Sequence, residues 1–167
     1  MKLVFCTIHD NRVNRKNFDC GVPELNEYLK KYARQNDIRG IAKTFVAIPE
    51  IGSENAAGYY CVSMAEIKQE SLPEIYRRGI PRYPVPAMRL GKLAVDLSMQ
   101  GKGLGKKLLI NCFEKSIRLS SEVGIFAVIV DAKNQPVKQF YLKYGFIPFE
   151  DNELSLFIPL ATITKLL

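Results

Sequence analysis

The chain has 167 residues, enough for one domain with a single sizeable core. Its 47% hydrophobic content is that of a soluble globular protein, and no apolar run approaches the ~20 residues that would span a bilayer. Net charge is +7, from 24 Lys+Arg against 17 Asp+Glu, so the surface is either simply solvated or attractive to a polyanion.

The N-terminus, MKLVFCTIHD, is too short in its apolar part for a signal peptide and shows no cleavage site, so a cytoplasmic location is expected. Cys6, Cys20, Cys61 and Cys112 form no C-x-x-C pair, and with His9 as the single histidine there is no zinc-ligand spacing and no metal site is expected. Cys61 and Cys112 lie in apolar patterns and read as small core residues. A Cys–His nucleophile pair would have to use His9, which reads as a surface or turn residue.

Residues 3–9 read as a first strand, followed by a polar loop. Pro23 is placed to open a helix, and Leu25, Tyr28, Leu29 and Tyr32 recur on one helical face. The segment ends between Asp37 and Gly40. Thr44–Ile48 and Gly58–Ala65 read as an antiparallel hairpin about a turn over 49–55. Leu72–Ile75 can start a short helix before Gly79. Tyr83–Pro86 must be extended because of its prolines. A central strand comes next, Ala87–Val95, with Gly91 suggesting a bulge or the close approach of another backbone.

Leu104, Leu108, Leu109, Cys112, Phe113 and Ile117 form a broad apolar helix face. Ile125–Val130 is a continuous apolar run, as expected for a strand covered on both sides. Gln135–Tyr144 reads as a helix with Val137, Phe140 and Tyr141 inward and Gly145 as its cap. Phe146–Phe149 and Leu154–Ile158 are short strands, and a last short helix is expected over Ile163–Leu167. The order β, α, two strands, a long strand, α, β, α, β, β predicts an α/β fold with a mixed sheet, in one domain over 1–167.

The central strand runs into a glycine-rich turn, Gln100-Gly101-Lys102-Gly103-Leu104-Gly105, at the start of a helix. Unpaired N–H groups and the helix dipole favour an anion there, and glycines let a backbone come close to a ligand. The glycine spacing does not fit the dinucleotide fingerprint, and Gly105 is followed by Lys106-Lys107 where a P-loop needs Lys-Ser/Thr. What matches is Gln-x-x-Gly-x-Gly at Gln100, Gly103 and Gly105.

That spacing resembles the acetyl-CoA pyrophosphate loop of the GNAT acetyltransferases. Phe140-Tyr141-Leu142-Lys143-Tyr144-Gly145-Phe146 resembles the same family's tyrosine helix. Three further blocks resemble its TacT/AtaT branch, the acetyltransferase toxins of bacterial toxin–antitoxin pairs: Phe18-Asp19-Cys20-Gly21 with Leu25-Asn26, Tyr83-Pro84-Val85-Pro86-Ala87 with Arg89-Leu90-Gly91, and Val130-Asp131-Ala132-Lys133. The resemblance runs from Phe18 to Pro159. It implies the GNAT acyltransferase fold, acetyl-CoA as co-substrate, acetylation of the amino group of aminoacyl-tRNA with arrest of translation, a ribbon-helix-helix antitoxin and a homodimer.

It also implies site residues. Leu93, Ala94 and Val95 would pair with the pantetheine amides, where two parallel strands splay apart. The N–H groups of Gly101, Lys102, Gly103, Leu104, Gly105 and Lys106, with Gln100, would hold the pyrophosphate, and Asn134 would touch the pantetheine arm. Tyr141 would be the acid for the leaving thiolate, with Tyr144 as a rival donor and a packed core tyrosine as the plain alternative. Basic residues for RNA would include Arg89 and Lys92 beside the cleft, Arg77 and Arg78 in the irregular segment, and Lys30 on the first helix. Arg89 equally suits an internal ion pair. Two other functions share these features: a GNAT acting on a small amine or protein amine, and a non-catalytic acyl-CoA-binding module.

Overall fold

The computed structural model describes residues 2–52 and 54–167. Met1, in the N-terminal stretch, and Ser53, in the expected 49–55 turn, lie outside the described residues. The elements are β1 (Leu3–Thr7), α1 (Pro23–Glu27), a π turn (Tyr28–Tyr32), α2 (Ala33–Ile38), β2 (Lys43–Pro49), β3 (Gly58–Ile67), α3 (Glu74–Arg77), β4 (Val85–Val95), α4 (Leu104–Ser120), β5 (Ala127–Asp131), α5 (Gln135–Lys143), β6 (Ile147–Pro148), β7 (Ser155–Pro159) and α6 (Leu160–Leu166). Short 3₁₀ turns cover Gln69–Ser71 and Leu97–Met99. The strands form one mixed seven-stranded sheet in the order β1-β2-β3-β4-β5-β7-β6. The expected hairpin is β2–β3, antiparallel with Thr44 opposite Cys61. β4 pairs parallel with β5 from Ala87–Ala127 to Arg89–Ile129, and β4 runs on to Val95.

The chain divides into two compact units, Met1–Ser63 with Gly91–Cys112, and Met64–Leu90 with Phe113–Leu167. In the first, Phe18, Tyr28, Leu29, Val46 and Tyr59 form the core. Phe18 meets the Tyr59 ring edge-on at 5.6 Å, and Tyr28 stacks on it at 6.4 Å. In the second, Phe157 on β7 is the centre, with Phe149 at 4.9 Å and Tyr76 edge-on at 5.3 Å, among Ile67, Leu72, Ala127 and Ile129. Ala127–Val130 are all buried, as the apolar run required.

Three expectations need correction. The first helix is not regular: the Ala33 N–H reaches back to the Tyr28 carbonyl, five residues earlier. The extra residue rotates the face, so Tyr32 is 43% exposed and Ala33 takes the inward place. Gly91 is not a point of close approach, because a Cβ there would meet Cys61 only at 3.9 Å. The close approach is at Gly58, whose Cβ would lie 2.9 Å from the Ala94 carbonyl oxygen and 3.0 Å from Leu108 Cδ1. Finally, α6 starts at Leu160, three residues before the expected Ile163, because Pro159 occupies its N-cap with φ −60°.

Gly58→Ala should therefore cost about 1–3 kcal/mol, since backbone must move to admit the methyl group. At roughly 2–4 °C per kcal/mol for a chain of this size, the loss will show in thermal denaturation. Gly91→Ala should leave the melting temperature within roughly 2–4 °C of wild type.

Candidate active site

β4 ends at Val95, and the carboxylate of the next residue, Asp96, organises the turn beyond it. Its Oδ2 accepts the Ser98 N–H at 3.1 Å and the Ser98 hydroxyl, capping the Leu97–Met99 turn. Its Oδ1 accepts the Asp19 N–H at 2.9 Å, and the Asp19 carbonyl accepts the Leu97 N–H at 2.8 Å. Asp19 is held in turn. Its Oδ1 accepts the Gly21 N–H and the Asn26 side-chain amide, both at 2.9 Å, while Asn26 Oδ1 accepts the Cys20 N–H at 2.8 Å. The block Phe18–Gly21 with Asn26 is thus a clasp on the end of β4.

Gln100 closes it: Nε2 donates to the Val95 carbonyl at 2.9 Å and the Cys20 carbonyl at 3.1 Å. The chain then turns through Gly101 (φ 76°) and Gly103 (φ 81°), positions that only glycine adopts freely. Residues 101–103 are exposed, as are Lys106 and Lys107. The Lys107 N–H donates to the Gly103 carbonyl at 3.3 Å, so the N–H groups of Leu104, Gly105 and Lys106 precede the first intrahelical bond of α4. An exposed turn with helix N–H groups that lack an intrahelical acceptor, and lysines beside it, fits a diphosphate. Gln100 serves the turn from behind through both carbonyls.

Both carboxyls ionise below the ordinary carboxylate range. Burial opposes ionisation at Asp96, but the bonds from Ser98 and Asp19 outweigh it. At Asp19 the Gly21 N–H contributes most, then the Asn26 amide.

Tyr141 lies in the second unit. Its ring is 6% exposed, set edge-on against Phe140 at 5.2 Å and Phe146 at 5.1 Å. Tyr144 stands beyond the helix end at the C-cap, against Phe140 at 5.1 Å. Asn134 caps α5, its Oδ1 accepting the Val137 N–H at 3.0 Å.

The cations expected to face RNA divide by environment. Arg89 pairs with Asp131, whose other oxygen accepts the Ser155 hydroxyl at 2.6 Å. Lys92 sits 4.1 Å over the Tyr28 ring. Arg77 donates to the Leu72 carbonyl at 2.7 Å and the Glu70 carbonyl at 3.2 Å. Arg78 and Lys30 are exposed. All four cysteines are buried, and burial pushes the Cys61 thiol up to about 11, away from nucleophile chemistry. His9 bonds Asp37 at 3.0 Å. Among the described residues no helix is long and apolar enough to cross a membrane.

Sequence reasoning assigned Asp19, Asn26 and Asp96 no role of their own. The local signal was present in Asp96-Leu97-Ser98 and Asp19-Cys20-Gly21, where an Asp two residues before an N–H makes an Asx turn. Asp96→Ala strips two backbone N–H groups of their acceptor and should cost about 2 kcal/mol, a melting-temperature drop of roughly 4–8 °C. Because the folded carboxyls sit below their ordinary values, their stabilisation is complete above about pH 4 and lost as pH falls through the depressed values. Thermal melts from about pH 6 to about pH 3 should show less acid loss for Asp96→Asn than for wild type.

Comparison with known proteins agrees with this geometry. A family model described as an acetyltransferase (GNAT) domain matches residues 42–148. A tRNA-acetylating toxin of Mycobacterium tuberculosis is 31% identical over 129 residues, covering 77% of this chain and 75% of the relative. The structure of AtaT complexed with acetyl-methionyl-tRNAfMet superposes with a TM-score of 0.91 at 28% identity, over 99% of each chain. A tyrosine-to-phenylalanine variant of the AtaT toxin, bound to the C-terminus of the antitoxin AtaR and acetyl-CoA, superposes with a TM-score of 0.83 at 26% identity, over 98% of this chain and 97% of that one. A β-strand feeding a clasped glycine turn, an aromatic-boxed tyrosine and these matches converge on one assignment: the chain belongs to the GNAT family of acetyltransferases.

Proposed function

We propose that this GNAT N-acetyltransferase is a toxin that acetylates the amino group of aminoacyl-tRNA and thereby blocks translation. The observation that carries this reading is the similarity, over nearly the whole chain, to AtaT in complex with acetyl-methionyl-tRNAfMet. Acetyl-CoA supplies the activated acetyl group. The turn over Gly101–Lys106 holds its diphosphate, and the backbone of Leu93, Ala94 and Val95 pairs with the pantetheine amides. Asn134, already the cap of α5, adds its side-chain amide N–H to the pantetheine arm.

The neutral α-amine attacks the thioester carbonyl carbon, and a C–N bond forms. The Val95 N–H stabilises the oxyanion. Collapse breaks the C–S bond, Tyr141 gives its hydroxyl proton to the departing sulfur, and water takes the proton lost by the amine and restores the phenol. No dedicated base is needed. A free α-amino group has a pKa of about 7.7–8.0, and esterification removes the neighbouring carboxylate, leaving the amine largely neutral at cellular pH. A lysine amine, at about 10.4, would require more help.

The same reading makes residues 1–167 one catalytic domain, cytoplasmic and homodimeric, neutralised by a ribbon-helix-helix antitoxin. The AtaT complex with its antitoxin's C-terminus supports the antitoxin part of it.

Labelled acetyl-CoA should transfer its acetyl group to aminoacyl-tRNA, and mild base should release the label with the amino acid. Tyr141→Phe should lower kcat by about 10²–10⁴-fold with little change in the KM for acetyl-CoA. Label passing to a polyamine or to peptide lysines, with none on the tRNA, would overturn the substrate. An unchanged kcat in the variant would overturn the role of Tyr141.

A further inference from the structure

The first unit carries a concavity apart from the glycine turn. It has a volume of about 620 Å³ and is lined by the loop Asn11–Lys16 with Lys30 and Glu54. The loop is pinned by its backbone: the Asn14 N–H donates to the Glu54 carbonyl and the Ala56 N–H to the Asn14 carbonyl, each at 2.9 Å. Its cations are set in place. Asp10 chelates the Arg12 guanidinium through Nε at 3.1 Å and an Nη at 2.9 Å, and Arg15 is anchored through an Nη bond of 2.8 Å to the Leu29 carbonyl. Lys16 and Lys30 are exposed and form no ion pair among the described residues. Among the described residues, Glu54 is the one carboxylate in the lining.

From this arrangement we infer that the groove of Arg15, Lys16 and Lys30 seats the sugar-phosphate backbone of the tRNA. The inference rests on the substrate reading above and locates the body of that substrate. Three observations favour it. Burial, with Arg34 nearby, pushes the Arg15 guanidinium pKa down, so an arriving anion relieves a cation short of counter-charge. Three of the other basic candidates are engaged within the fold: Arg89 with Asp131, Arg77 with two carbonyls, Lys92 with the Tyr28 ring; Arg78 is exposed and is tested beside the groove. Among the described residues, Val13 is the only apolar side chain in the lining, which suits a phosphodiester chain and gives a peptide no anchor.

The test is binding of uncharged tRNA across a salt series, with polyglutamate as a second probe, for wild type, Lys16→Gln/Lys30→Gln and Arg77→Gln/Arg78→Gln. Removing one phosphate contact lowers the slope of log affinity against log salt by about 0.9. The Lys16/Lys30 variant should therefore lose about 2 of slope and weaken tRNA binding at least about fivefold. The Arg77/Arg78 variant should keep most of the wild-type slope.

An unchanged slope in the Lys16/Lys30 variant, or a loss only in the Arg77/Arg78 variant, overturns the groove. Polyglutamate binding that the lysine changes abolish while tRNA binding persists overturns it in favour of an acidic protein partner. If wild type binds tRNA through the groove yet never acetylates aminoacyl-tRNA, the groove stands and the substrate reading falls.

Discussion

The Asp96 carboxylate is the interaction on which the rest of the candidate site depends. One oxygen caps the turn that ends β4, and the other receives the N–H of Asp19, which is 77 residues away in sequence. The Leu97 N–H returns the bond to the Asp19 carbonyl. This reciprocal pairing fixes where the strand stops, and Gln100 locks the same corner by bonding the last strand carbonyl. Beyond that corner Gly101 and Gly103 take positive φ, and the first N–H groups of α4 follow without an intrahelical acceptor. A charged group in this position gains more from the Ser98 hydroxyl and the Asp19 and Ser98 N–H groups than it loses by burial, which is why its pKa falls.

This also gives physical content to a sequence block that had only a family likeness. Phe18 is a core ring against Tyr59, while the Asp19 carboxylate accepts from Gly21 and Asn26. The block joins the aromatic core of the first unit to the glycine turn. The aromatic neighbours of Tyr141 do comparable work in the second unit. They hold a phenol ring in one orientation while α5 is fixed at its start by the Asn134 cap.

Much of the fold was legible because period and punctuation agreed. The apolar face of α4 and the glycine turn formed where patterning put them, and the Ile125–Val130 run gave β5 over Ala127–Asp131, two residues later at its start. What was not legible came from distance or from broken periodicity. The Asp19–Asp96 bond has no local signal for its partner. Reading the first helix with a period of 3.6 residues placed Tyr32 inward, and the π turn turned it out. Gly58 stood at the start of a strand and looked ordinary, yet it is the glycine against which Ala94 packs. The basic residues were visible as a sum of charge, but only the fold separates Arg89 and Arg77, bonded internally, from Lys16 and Lys30, left facing solvent.

The central claim is that the clasped end of β4 and the turn after it are the acetyl-CoA site. Amide hydrogen exchange with and without CoA tests it most directly, because it reads the N–H groups themselves. Slowed exchange over Leu93–Val95 and Gly101–Lys106, lost in Asp96→Ala, is the predicted result. Unchanged exchange in both segments at saturating CoA, with protection elsewhere in the chain, would contradict it.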